Sequence, residues 1–169
     1  MALFLIANGP SPTTAAQVPV TTGTSIKTLL QVKPSATAVA RIVEWGISFN
    51  GSAAATPIKV ELLETDVAAT VTAHVAAGIV KLDAAAMRGG DPTTNLFPVG
   101  TTSTGYTSSG EGTITATRVF DVQFIAPTNQ YVKQFPLGRE PTIDTSLFAR
   151  IRVTAGAAVD AYCYMIVEI

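Results

Sequence analysis

Residues 39–65, VARIVEWGISFNGSAAATPIKVELLET, carry two strand patterns joined by a turn signal, and their reading decides the fold class. In the first half Val39, Val43, Trp45, Ile47 and Phe49 fall on alternate positions, interrupted by Arg41, while Glu44 and Ser48 fall on the opposite face. That period of two is the mark of a half-buried strand. In the second half Ile58, Val60 and Leu62 alternate with Lys59, Glu61 and Leu63. Between the halves Asn50-Gly51 tolerates positive φ, and residues 53–57 lengthen the connection beyond a two-residue hairpin. Trp45, the only tryptophan, is expected to anchor the core here.

Working outward, the same alternation recurs. Ile26, Leu30 and Val32 share a parity with Thr28. Ile114, Ala116, Phe120, Val122 and Phe124 share one face with Arg118, leaving Asp121 and Gln123 on the other. Tyr131, Lys133 and Phe135 lead a short strand. Leu147, Ala149, Ile151 and Val153 point inward against Arg150 and Arg152, and Val159, Ala161, Cys163, Met165, Val167 and Ile169 do so in the last strand. About eight closely spaced strands with little helix predict an all-β fold, a two-sheet antiparallel β-sandwich of jelly-roll type. Residues 66–86 are mixed: Val67, Val71, Val75 and Ile79 recur at helical spacing, but β-branching and Gly78 weaken a helix, and a helical turn plus a short strand at 79–82 is expected. Residues 87–112, rich in Gly, Ser and Thr, read as one long loop that contact with a partner would order, with Leu96, Phe97 and Tyr106 as anchors. Residues 1–23 read as an extended N-terminal arm and residues 24–169 as a single domain. Leu3, Phe4, Leu5 and Ile6 in the arm are too apolar for water; they pair either with another subunit or with the chain's own sheet.

A chain of 169 residues suits one domain that buries roughly 70% of its unfolded surface. Charged residues are 14% of the composition and the net charge is −1, so the surface is unusually neutral, either bland or covered by neighbouring copies. The lack of a basic run removes the electrostatic footprint of nucleic-acid binding. Cys163 is the only cysteine, which rules out an intrachain disulfide and suits a buried thiol in a reducing compartment. Residues 1–7 lack the basic flank and length of a signal peptide, and no apolar run reaches the ~18 residues of a membrane helix, so neither is expected.

Signals for chemistry are sparse. His74 is the only histidine and has no ligand-spaced companion, so neither a metal site nor a His-dependent nucleophile is expected. The carboxylates are scattered over strands and turns, so a glycosidase pair, for which Glu111 and Asp121 are the residues to test, is not the expected reading. Gly110-Glu111-Gly112 lacks the lysine and helix of a phosphate loop and reads as a turn. Arg41 and Arg118 interrupt apolar faces, either reaching a rim carboxylate or making an ion pair between subunits. Tyr162 and Tyr164, two apart on the last strand, are either cross-strand packing or a sugar-stacking platform. No enzyme activity and no cofactor are expected.

Three segments, GISFNGSAAATPIKVELLETDVAATVT (46–72), EGTITATRVFDVQFIAPTNQYVKQFPLGREP (111–141) and RIRVTAGAAVDAYCYMIVEI (150–169), resemble the small all-β virion proteins of tailed bacteriophages known as decoration, cement or minor capsid proteins. The similarity covers residues 24–169 and rests on strand and turn segments, with no motif of known role to carry over. It implies a sandwich made in the host cytoplasm that assembles, commonly as a homotrimer, on the capsid exterior and contacts itself and the major capsid protein. Leu3, Phe4, Leu5, Ile6, Leu96, Phe97 and Tyr106 are the expected interface residues. Head fibres and tail parts carry similar sandwiches, so the alternative is a carbohydrate- or receptor-binding module that meets a host-surface glycan through Tyr162, Tyr164 and the 87–112 loop.

Overall fold

The computed structural model describes residues 2–12, 14, 16–82 and 96–169. Its strands are β1 (Leu3–Ala7), β2 (Val20–Thr21), β3 (Ile26–Val32), β4 (Ala40–Asn50), β5 (Ile58–Thr65), β6 (Thr70–Ala73), β7 (Ile79–Lys81), β8 (Gly105–Gly110), β9 (Thr117–Ile125), β10 (Gln130–Gln134), β11 (Thr142–Ile143), β12 (Phe148–Thr154) and β13 (Asp160–Glu168). They form two sheets. One runs β10-β4-β13-β1-β7, with β11 also on β4 and β2 also on β13; the other runs β6-β8-β3-β12-β5-β9. Every strand pair among the described residues is antiparallel. The expected all-β sandwich is therefore the fold, and β1, β2, β6, β8 and β11, none of them among the eight or so strands read from the sequence, raise the strand number.

The two patterns of residues 39–65 become β4 and β5, one in each sheet, so they face each other across the core and do not pair as a hairpin. Trp45, Ile47 and Phe49 from β4 and Ile58, Val60 and Leu62 from β5 are buried between the sheets. The first half of β4 departs from the predicted face. Ile166 lies opposite Glu44 but Val167 lies opposite Ile42, leaving Val43 as the extra residue of a β-bulge. The bulge reverses parity, so Ala40 and Ile42 enter the core while Val39 and Arg41 are exposed. The interruption at Arg41 is thus the imprint of the bulge.

Two more bulges act alike. In β3, Ile151 faces Leu30 and Arg152 faces Thr28, which leaves Leu29 extra; Leu29 and Leu30 are both buried and Ile26 is exposed, against the predicted shared parity. In β9, Leu62 faces Asp121 and Leu63 faces Val119, with Phe120 extra. Here the predicted face is inverted: Asp121 and Ile125 turn inward, whereas Val122 and Phe124 point to solvent.

Of the two readings of residues 3–6, pairing with another subunit or with the chain's own sheet, the second is found, although the strand is an interior one and not an edge. β1 sits between β13 and β7, and Phe4 and Ile6 are fully buried. Beyond it Asn8 extends the ladder with its side chain, Nδ2 donating to the Ala161 carbonyl at 3.0 Å and Oδ1 accepting from the Cys163 N–H at 3.0 Å. Residues 70–81 give β6, a 3₁₀ turn at Ala76–Gly78 and β7, close to the mixed reading. The expected long loop contains β8, pinned between β6 and β3; its residues 87–95, like 83–86 of the preceding stretch, lie outside the described ones.

Candidate functional site

The residues expected at an interface separate into two groups. Phe4, Ile6 and Phe97 are fully buried in the chain's own core, where the Phe4 and Phe97 rings meet edge to face at 5.4 Å; Leu96 packs against the same cluster. Tyr106 stands 4.9 Å from the ring of His74. Leu3 and Leu5 alternate with the buried pair and lie on the outer face of their sheet, where Leu5 is flanked by Ile166 of β13 and Val80 of β7.

His74 is buried. Its Nε2 lies 2.8 Å from the Ala7 carbonyl and its Nδ1 has no partner among the described residues. A Cβ on residue 78 would stand 2.6 Å from Nδ1, so only glycine fits beside the ring. Burial holds the imidazole below its ordinary pKa, the Ala7 carbonyl acting the other way. This histidine locks the end of β1 to the 3₁₀ turn.

The charged side chains work as anchors. On the outer face of β5 and β12, Glu61 bridges Lys59 at 2.7 Å and Arg152 at 3.0 Å. Burial alone would raise the Glu61 pKa, and these two cations outweigh it and hold it low. At one end of the sandwich Glu64 receives Arg118 at 2.6 Å and the Asp144 N–H at 2.7 Å, while Arg118 also donates to the Thr142 carbonyl at 2.6 Å. Arg118 thus reaches a carboxylate of its own chain, and Arg41 is exposed on β4. Asp121 looks inward from the edge of one sheet to β10 of the other, accepting from Tyr131 Oη at 3.0 Å and meeting Lys133 Nζ at 3.2 Å. Burial and then this contact push the Tyr131 pKa up to about 12.

One buried polar cluster was not signalled by any sequence motif. Residues 111–116 link β8 to β9 by crossing the outer face of β3, β12 and β5, and Arg150 of β12 lies beneath them, pointing away from the core yet fully buried. Its guanidinium donates to the Glu111 carbonyl at 3.2 Å, to the Glu111 carboxylate at 3.3 Å and to the Val67 carbonyl. The Glu111 carboxylate also takes the Thr28 N–H, the Thr28 hydroxyl and the Ser108 hydroxyl, each at 2.6 Å. Gly110-Glu111-Gly112, read as a turn, is the foot of a strap.

Tyr162 and Tyr164 have ring centroids 6.3 Å apart and tilted by 37°. Tyr164 lies over Gly46, where a Cβ would come within 2.7 Å of the ring, and its hydroxyl donates to Glu44 at 2.6 Å. These contacts are those of a residue filling the gap a strand glycine leaves. The thiol of Cys163 is fully buried, which pushes its pKa well up. No group of three or more potential metal ligands occurs among the described residues, and none of their helices is long and apolar enough to cross a membrane.

What the surface does offer is apolar. Phe124 is 73% exposed, Leu137 97%, Val39 63% and Val119 51%. The class defined by these observations is a two-sheet antiparallel β-sandwich whose polar groups serve its own architecture and whose outer rows carry unpartnered apolar side chains. No protein-family model, curated protein or solved structure matches the chain.

Proposed function

We propose that this chain is a structural virion protein that decorates and stabilises the capsid of a tailed bacteriophage through contacts with its own copies and with the shell. The observation that carries the reading is the exposure of Phe124, Val119, Val39 and Leu137 on strands and turns held rigid by the sandwich, in a chain with only 14% charged residues. Fixed apolar groups lose little entropy on docking, and each contributes at roughly 25 cal/mol per Å² of apolar surface removed from water, less the cost of association. Repetition over many copies would turn modest contacts into a stiffened particle. The virion assignment itself comes from the segment resemblance.

Quantitative mass spectrometry of purified particles from the source tests it. A fixed ratio to the major shell protein near that of the lattice supports decoration. A handful of copies favours a fibre or tail part, and absence from particles overturns the virion role and promotes the glycan-binding module.

A further inference from the structure

Between β10 and β11 the chain makes a tight turn, Pro136-Leu137-Gly138-Arg139. The Arg139 N–H donates to the Pro136 carbonyl at 2.9 Å, Gly138 has φ of +80°, and the Glu140 carboxylate accepts the Gly138 N–H at 2.7 Å. Positive φ at the third position marks a type II turn, which asks for glycine there and favours proline at the second position. Leucine at that second position is not required by the turn, yet Leu137 is 97% exposed at its apex with the exposed Arg139 two residues on. The turn is braced by Pro136, Pro141 and the Glu140 contact, so its display of one apolar and one cationic side chain is fixed in advance.

At the same end of the molecule, where Arg118 holds the Thr142 carbonyl, lies a cavity of about 320 Å³. Ala116, Thr117 and Leu147 supply much of its wall, and Glu64, Asp66 and Asp144 line it against a single cation, Arg118. Glu64 and Arg118 neutralise each other. Asp66 is held mainly by Thr115, with Arg150 also near enough to act on it, and Asp144 mainly by Ser146, with Arg118 acting on it as well; these contacts keep both carboxyl groups in their anionic form. The cavity therefore has apolar walls and an acidic rim, complementary to the leucine and arginine of the turn. Its volume sits at the lower end of the ~300–1,000 Å³ range of sites that take small groups.

We infer that the Leu137 turn of one copy seats in this cavity of a second copy, Leu137 against Ala116 and Leu147 and Arg139 beside Asp66 and Asp144. Leu137 and Asp144 are seven residues apart in the sequence, so turn and cavity lie within ~24 Å of each other. The contact rests on the reading of the chain as an assembling protein and names what holds its copies together.

Sedimentation of the full chain from micromolar to millimolar concentration tests this contact. Concentration-dependent association is expected, weakened by about ten-fold or more in Leu137→Ser, in Arg139→Glu and in Ala116→Trp, which fills the cavity mouth. The melting midpoints should stay at the wild-type value, because Leu137, Arg139 and Ala116 are all exposed in the single chain. A monomer throughout the range overturns the contact, and so does an oligomer that none of the three changes weakens. Loss in the two turn variants with Ala116→Trp unaffected overturns the cavity as the seat. None of these outcomes bears on the copy number in particles, which remains the separate test of the virion role.

Discussion

β13 and β9 are strands of the same length, nine residues each, but β13 alternates without a break whereas β9 carries the Phe120 bulge, and they use their faces in opposite ways. β13 lies inside its sheet between β4 and β1, and its apolar set, Ala161, Cys163, Met165 and Val167, fills the core. β9 lies at the edge of the other sheet with only β5 beside it, and it turns Val122 and Phe124 to solvent while Asp121 faces inward. Alternation establishes that a segment is a strand; which face is buried depends on what the neighbouring strands bring. For β9 the deciding neighbour is β10 across the sandwich edge, which offers Tyr131 and Lys133 to the Asp121 carboxylate.

The largest effect that would probe this contrast comes from removing β1, which completes the bed of β13. An arm independent of the sandwich would leave folding intact when residues 1–8 are deleted. The structure predicts instead that the deletion strips Phe4, Ile6 and the Asn8 clamp from the core and abolishes cooperative folding, visible as loss of near-ultraviolet dichroism. Within β13, Met165→Ala should cost about 2–5 kcal/mol in denaturant unfolding, as expected for a fully buried side chain.

The inner side of β9 should be less costly to disturb. Asp121→Ala removes the contacts to Tyr131 and Lys133, and a loss of about 1–2 kcal/mol is expected, since Lys133 is one-third exposed and can return to water. The same change should return the Tyr131 pKa from about 12 toward 10 in an ultraviolet titration. An unchanged titration would dissociate Asp121 from the clasp.

The reasons the sequence misplaced some faces are local. Val43, Leu29 and Phe120 each add one residue to a strand, and each reverses the parity of everything on one side of it. Where the alternation ran unbroken, in β12 and β13, the inward residues were read correctly. β8 was read as loop because Gly105, Ser108, Ser109 and Gly110 have no apolar pattern; it is held by pairing with β3 and β6, and a Cβ on Gly105 would collide with the Thr72 carbonyl at 2.3 Å. The strap over Arg150 joins residues 28, 108, 111 and 150, and no local motif could bring these together. The low charge signalled an unusually neutral surface but not its apolar rows, since Val122 and Phe124 were read with the apolar face of their strand, while Phe4, Ile6 and Phe97, read as interface residues, proved to belong to the core.

Acid separates the two sides in a further way. His74, which secures β1 beside β13, has a folded pKa below its ordinary 6.5, so the unfolded chain takes up the proton first and stability falls as pH drops below about 6.5. Glu61 and Glu111, which brace the sheet that carries β9, have folded values below 4.5, so their contribution is present above that pH and is lost as pH falls through the lowered values. Denaturant midpoints at pH 7.5, 5.5 and 4 should decline in two stages. His74→Gln should remove the first stage while leaving the second, and a first stage that survives this change would assign it to another group.

The smallest stability effect belongs to the outer side of β9, and it is the one that gives the comparison its functional meaning. Phe124 is 73% exposed, so Phe124→Ser removes little that the single folded chain uses, and the unfolding free energy should stay within about 0.5 kcal/mol of wild type. If packing in the monomer were the reason for this phenylalanine, the change would cost several times more. If the row is an assembly surface, the variant should fold normally and occupy particles less fully, the deficit growing when Val122→Ser is added because both side chains lie on the same face of one edge strand. Normal occupancy by the double variant would leave the exposed row of β9 without a role in docking and confine the contacts to other surfaces of the sandwich.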